Sequence, residues 1–347
     1  MIPSVMKAWR IDAYNGDPAL AIKSLKLKND VPVPSAIQDH QLLLKIQYAS
    51  VNPIDWKLLT GGLHGICPCT FPYTPGFDVG GTVVQAGAKV SGGIAVGDAV
   101  IADIGLVESC TDPPTAPTGC AGAFAEYVAV DSSICVKVPT GAADLEKVTG
   151  LPLAGLTAYQ ALFTGEAKSF TGETLGSVKE GSKVLILGGS GGVGTLAIQM
   201  AKTTGCHVAC TSSKVSFCKE LGADQVINYK DGEDWSKLLA GQNYDLIFDC
   251  IGLMKDLTEG APKVLKKRGD FVSVANFDPT AASSDSVRFA VFLLKSSAKD
   301  LETMMGMIKD RTLKVPVETV YDLKDVPAAL EKSLSGRSAG KVLIKMQ

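Results

Sequence analysis

The chain has 347 residues, enough for two domains with packed cores, and 46% of them are hydrophobic. A formal net charge of −2 offers no general attraction to nucleic-acid phosphates or anionic lipid, so neither is expected as the main partner. The first residues, MIPSVMKAWRIDAYNG, contain no apolar signal core, and no apolar run reaches the roughly 18 residues that a bilayer span needs. A cytoplasmic enzyme without a membrane span is the expectation. Nine cysteines, an odd number with no C-x-x-C pair, fit reduced thiols in a reducing compartment.

In chain order, residues before about 140 predict short strands at 41–48, 78–85, 99–102 and 123–130, broken by glycine, proline and aspartate turns. The stretch 111–119, TDPPTAPTG, reads as a turn-rich loop. From 183 onward strands and helices alternate. Strands are predicted at 183–187, 207–211, 225–229, 244–250 and 270–275, with helices running through 202 and over 217–221, 235–239 and 255–265. That alternation predicts a doubly wound parallel sheet with its ligand crevice at the carboxyl ends of the strands. The segment 287–294, VRFAVFLL, reads equally as a core or edge strand and as a cleft or dimer surface. A helix from about 300, a strand at 317–321, a helix at 326–334 and a strand at 341–345 are too short for a domain and should return to the first one.

The strongest signal is KVLILGGSGGVGTLAI at 183–198, an apolar strand entering a glycine-rich turn and then a helix. Glycines let backbone N–H groups approach a pyrophosphate, and the helix aims its positive end at it. Gly189 should make the sharp turn, Gly191 admit the phosphates, and Gly194 let helix and sheet pack closely. Backbone amides of Ser190, Gly191, Gly192 and Val193 are the expected phosphate donors. NAD-binding versions carry an acidic residue about 20 positions on, which bonds the ribose 2′-hydroxyl. Here the 207–211 strand ends at Thr211 and is followed by Ser212, Ser213 and Lys214. With hydroxyls and an ammonium in place of a carboxylate, a 2′-phosphate is favoured and NADPH is the expected cofactor.

Ordered motifs along nearly the whole chain carry a family resemblance. They include Ser50-Val51-Asn52-Pro53-Ile54-Asp55-Trp56-Lys57, Tyr73-Thr74-Pro75-Gly76-Phe77-Asp78, Gly122-Ala123-Phe124-Ala125-Glu126-Tyr127, Gly155-Leu156-Thr157-Ala158-Tyr159-Gln160, the glycine turn and Gly340-Lys341-Val342. The chain resembles the zinc-free quinone oxidoreductase (zeta-crystallin-like) branch of the medium-chain dehydrogenase/reductase superfamily. The resemblance implies an α/β protein with a GroES-like, mostly-β substrate domain at 1–140, completed by 281–347, and a Rossmann NADPH-binding domain at 141–280. It also implies an active site in the cleft between them and a homodimer or homotetramer. Zinc members place a cysteine at the position of Asn52 and a G-H-E motif at Gly76-Phe77-Asp78, so no metal is expected here.

Without a Lewis acid the acceptor must be electrophilic already, as quinones and α,β-unsaturated carbonyls are. Asn52 is read as an amide donor to the developing oxyanion, or as a turn cap. Lys57 is read as an oxyanion stabiliser or proton source, or as a solvated lysine. By similarity, Thr157, Cys250, Ile251, Ala275 and Phe277 should meet the nicotinamide, and Tyr229 should join Lys214 at the 2′-phosphate. The expected activity is NADPH-dependent quinone reduction, with C=C reduction of enals and enones as the alternative. From another class, relatives include crystallins and AU-rich RNA binders, a role disfavoured by the absence of a basic tract. His64 follows Asn52 and Lys57 closely enough to be a further candidate, and Cys67-Pro-Cys69 a redox one.

Overall fold

The computed structural model describes residues 1–65, 67–104, 122–139, 141, 144–164, 168–169 and 176–346. The predicted loop at 111–119 lies outside them. The chain packs as two compact units, one of Met1–Leu153, Ser296–Lys309 and Val317–Gln347, the other of Ala154–Lys295 and Asp310–Pro316.

These divisions differ from the expected 1–140 and 281–347 for identifiable reasons. Past 140, the short Leu145–Val148 helix ends close to Leu153, whose N–H donates to Asp78 Oδ1 at 2.7 Å, within the first unit. Past 280, the chain adds one more strand, Val287–Leu293, parallel to Leu265–Ser273 in the second unit's sheet. There Phe289 and Val291 enter the hydrophobic core, so this apolar stretch is a core strand. The Asp310–Pro316 segment is held by a two-way amide bond: Gln199 Nε2 donates to Lys314 O, and Lys314 N–H donates back to Gln199 Oε1, each at 3.0 Å.

The first unit centres on a sheet in the order Val317–Asp322, Lys341–Lys345, Gln41–Val51, Asp78–Ala86, Ala99–Asp103, Val136–Lys137. Tyr127–Asp131 also pairs with the long Gln41–Val51 strand. Val317–Asp322 runs parallel to Lys341–Lys345; the other pairings are antiparallel. In Gln41–Val51 both faces are buried over Leu42, Leu43 and Leu44, and Lys45 and Gln47 are exposed on either side of buried Ile46. Pro53 then starts the Pro53–Leu59 helix, for which its fixed backbone angle is suited.

The second unit is a seven-stranded sheet ordered Gln225–Ile227, His207–Thr211, Lys183–Leu187, Tyr244–Asp249, Leu265–Ser273, Val287–Leu293, Lys168–Ser169. The first six strands are parallel, and Lys168–Ser169 closes the edge antiparallel. Two predicted elements differ from what forms. The helix expected over 255–265 is a wide turn, Asp256–Gly260, followed by the short Ala261–Val264 helix. Its strand starts at Leu265 because Tyr244 pairs with Leu265 and Leu246 with Asp270, so residues between them bulge out, with Arg268 at φ 57°. The strand expected at 225–229 stops at Ile227, because the Asn228 side chain caps a tight turn over Tyr229–Asp231.

The Gly192–Thr203 helix packs onto the Lys183–Leu187 strand through glycine. A Cβ on residue 194 would stand 2.3 Å from the Gly188 carbonyl oxygen, and one on residue 189 would stand 2.7 Å from Cys210 Sγ. Gly194→Ala is therefore expected to cost about 2 to 4 kcal/mol, since neighbouring backbone must shift. A denaturant midpoint lowered at constant slope is the checking measurement.

Candidate functional site

In the second unit the carboxyl ends of the parallel strands gather the predicted cofactor residues. Gly188, at φ +88°, turns the chain off its strand; its N–H donates to Thr211 Oγ1 and that of Gly189 to Thr211 O, both at 3.0 Å. Gly191 is the helix N-cap and has no capping side chain. The N–H groups of the first helical turn have no acceptor within the helix, and that end carries the positive dipole. Gly191's own N–H turns back to Gly188 O at 3.2 Å, which leaves Gly192 and Val193 as the amides at the helix end. A Cβ on residue 191 would meet only the Gly188 carbonyl oxygen, at 3.5 Å. Unlike Gly189 and Gly194, then, Gly191 is not demanded by the packing of the chain around it, and its bare face fits close approach of a pyrophosphate.

Thr211 and Ser212, expected at the cofactor, both use their hydroxyls within the chain. Both are buried, at 7% and 2% exposure. Thr211 holds the glycine turn from the neighbouring strand, and Ser212 Oγ accepts the Lys214 N–H at 2.9 Å. Lys214 is exposed at the start of the Val215–Glu220 helix, and Tyr229 is 57% exposed at the end of the adjacent strand. The pairing of Thr211 with Ile227 places these two strand ends side by side. The turn after Tyr229 also carries Asp231 and Glu233, missed in the sequence reading. They accept from the Asn228 side chain and backbone, at 2.6 Å each.

At the other side of the glycine turn, the Ile251 side chain lies against Gly188, where a Cβ would meet its Cδ1 at 2.9 Å. A second residue not singled out from sequence, fully buried Asp249, builds this corner. Its Oδ1 accepts from Ile251 and Gly252 N–H at 2.8 and 3.0 Å, and its Oδ2 from Ser273 Oγ at 2.7 Å. Gly252, at φ +91°, packs against the Ala275 carbonyl. Cys250, Ile251 and Ala275 are thereby brought together, and Phe277 leans on the core next to them. Burial pushes the Cys250 thiol well up, which keeps it protonated and a poor nucleophile. Thr157 lies on the Pro152–Tyr159 helix, 5% exposed.

In the first unit Asn52 is 2% exposed, and its side chain is bonded on both ends. Nδ2 donates to Asp78 Oδ2 at 2.8 Å and to Ser50 O at 3.3 Å, while Oδ1 accepts from Lys341 Nζ at 2.6 Å. With both amide hydrogens turned into the protein, Asn52 is a brace and not a free donor. Its backbone N–H is held by Asp55 Oδ2 at 2.7 Å. Burial pushes the Asp55 carboxyl well above the usual carboxylate range, with neighbouring Asp78 adding to it.

Lys57 sits one turn further along the same helix, half-buried, with Nζ 5.8 Å from the Trp56 ring centre. Burial lowers its pKa from the ordinary lysine value. Among the described residues its ammonium has no hydrogen-bond or ion-pair partner. His64 is exposed and shares a 3.1 Å hydrogen bond with Tyr14 Oη through Nδ1, while Cys67 and Cys69 are half-buried and not joined in a disulfide. Among the described residues no group of three or more His, Cys, Asp or Glu is arranged to hold a metal, and no helix is long and apolar enough to cross a membrane.

Two family models match the chain: an alcohol dehydrogenase GroES-like domain over 38–140 and a zinc-binding dehydrogenase model over 221–344. A quinone-oxidoreductase homolog of spinach chloroplasts, from Spinacia oleracea, is 32% identical, with 99% of this chain and all of the relative covered. An NADPH-dependent alkenal/one oxidoreductase of Arabidopsis thaliana chloroplasts is 33% identical over 99% of this chain and 80% of its own length. The solved quinone oxidoreductase of Coxiella burnetii superposes with a TM-score of 0.79 at 30% identity, covering 99% of this chain and all of that one. A GroES-like unit and a Rossmann-type parallel sheet in one chain, with full-length relatives at this identity, make it an oxidoreductase of the quinone oxidoreductase branch of the medium-chain dehydrogenase/reductase superfamily.

Proposed function

We propose that this protein uses NADPH to reduce an activated carbonyl acceptor, a quinone in the first place, without a metal ion. The observation that carries the reading is the glycine turn. Gly189 and Gly194 are packed against their own chain, but Gly191 presents a face that a Cβ would fill, next to a helix end with donor N–H groups. NADPH over NADH is supported by Lys214 and Tyr229 at neighbouring strand ends and by the lack of a carboxylate in Thr211-Ser212-Ser213-Lys214. The Asp231 and Glu233 carboxylates nearby are occupied by Asn228.

Bound NADPH would supply a hydride. In this reading Ile251, Cys250 and Ala275, held by Asp249 and Gly252, wall the nicotinamide, with Thr157 and Phe277 beside them. Lys57 steadies the negative charge that develops on the acceptor oxygen and delivers the proton that balances the hydride. A half-buried ammonium suits both tasks, because burial strengthens its field and weakens its hold on the proton. The alternative acceptor, the C=C bond of an enal or enone, takes hydride at the β-carbon and needs the same donor. It is favoured by the name of the Arabidopsis relative.

Three outcomes are expected. Lys214→Ala should raise the NADPH dissociation constant about tenfold, the loss of one charge-assisted contact, and leave NADH nearly unchanged. Equal losses in fluorescence titrations would refute the phosphate assignment. Lys57→Met should lower kcat at least about tenfold with NADPH affinity kept. In the unsubstituted protein kcat should fall on the alkaline side with a midpoint below the ordinary lysine value of about 10.4, because burial disfavours the charged donor. Following NADPH oxidation by its absorbance with phenanthrenequinone and with a small vinyl ketone ranks the two acceptors. Faster turnover of the ketone would reverse the order proposed here.

A further inference from the structure

Lys341 opens the last strand, Lys341–Lys345, whose Val342 pairs with Val51 on the Gln41–Val51 strand. That register sets a lysine beside Asn52. The residue is 3% exposed, and its ammonium donates to Asn52 Oδ1 at 2.6 Å and Val51 O at 3.4 Å, with Asp78 Oδ2 at 3.6 Å. Asp78 is itself fully buried and accepts from Asn52 Nδ2 and from the Leu153 N–H. The three side chains close a ring: Lys341 bonds Asn52, Asn52 bonds Asp78, and Asp78 pairs in charge with Lys341. Two further buried carboxylates, Asp55 and Asp103, face the same ammonium.

Such a ring is a costly way to fill a core. Moving charges out of water is costly, and well-packed apolar residues often stabilise as much or more. What the ring supplies is position. Lys341 bonds the amide oxygen of Asn52 and so dictates which way that amide faces; Asp78 Oδ2 and the Ser50 carbonyl then accept from its Nδ2. Asn52 is also the first residue of the turn leading into Pro53–Leu59, gripped through its N–H by Asp55. The helix that carries Lys57 is therefore anchored at its start by a lysine 289 positions away.

We propose that Lys341 is a positioning residue for acceptor reduction, acting through Asn52 to fix the helix that presents Lys57; this rests on the function proposed above. Lys341→Met alone strands the Asp78 charge and is expected to destabilise, so the informative variant is Lys341→Met with Asp78→Asn, which removes both charges from the full-length protein. Side-chain misplacement of about an ångström can cost up to about a hundredfold in rate. The double variant should keep its melting temperature and NADPH affinity, lose about tenfold or more in kcat with KM little changed, and shift the alkaline limb of kcat.

Unchanged kcat and an unchanged alkaline limb would overturn the proposal. A parallel fall of kcat, NADPH affinity and melting temperature would also overturn it, because the ring would then serve folding alone. If the unsubstituted protein oxidises NADPH with neither a quinone nor a vinyl ketone, the function proposed above fails and this inference falls with it. Turnover in the parent with no effect in the double variant sinks the inference alone.

Discussion

A carbonyl oxygen, that of Gly188, lies where a side chain on residue 194 would have to begin. That close approach brings the Gly192–Thr203 helix down onto the end of the Lys183–Leu187 strand, so that the positive end of the helix and its free N–H groups open at the carboxyl edge of the sheet. The other features of this edge lean on the same turn. Thr211 bonds it from one neighbouring strand, and Ile251, fixed by Asp249, covers it from the other. In the function proposed above, anion binding here follows from backbone geometry, with side chains serving to hold the backbone in place.

The first unit works by the opposite device. Its candidate chemistry lies on a short helix whose start is held by buried charge: one ammonium, Lys341, against Asp78, Asp55 and Asp103. Hydrogen bonds satisfy most of these groups, though Asp55 Oδ1 is buried without a partner among the described residues. The raised Asp55 carboxyl eases the imbalance, since a neutral acid there leaves fewer negative charges around a single cation. Lys57, one turn away, lies outside this ring, and burial lowers its pKa from the ordinary lysine value.

Much of the second unit was legible from sequence because local patterns decide it. Apolar runs bounded by glycine become parallel strands, and Gly189 and Gly194 of the turn each have a separate steric reason. What local pattern cannot show is where a side chain spends its hydrogen bonds. Asn52 reads as an available amide, yet its partners are 26 and 289 positions away. Thr211 and Ser212 read as hydroxyls at a strand end, and both turn inward to hold backbone. Asp249 gave no signal, being one acidic residue ending an apolar strand, and its role appears only when Ile251, Gly252 and Ser273 converge on it. The unit limits were misplaced for a similar reason, because Val287–Leu293 looks apolar in any setting and only its pairing with Leu265–Ser273 assigns it to the sheet.

Calorimetric titration of the folded full-length chain with NADPH and with NADP⁺ tests the central claim most directly. The account predicts saturable binding of one nucleotide per chain, weakened by substitution of an alanine for Gly191 while the melting temperature of the free protein holds. Absence of binding by both forms, in protein shown to be folded, would contradict it.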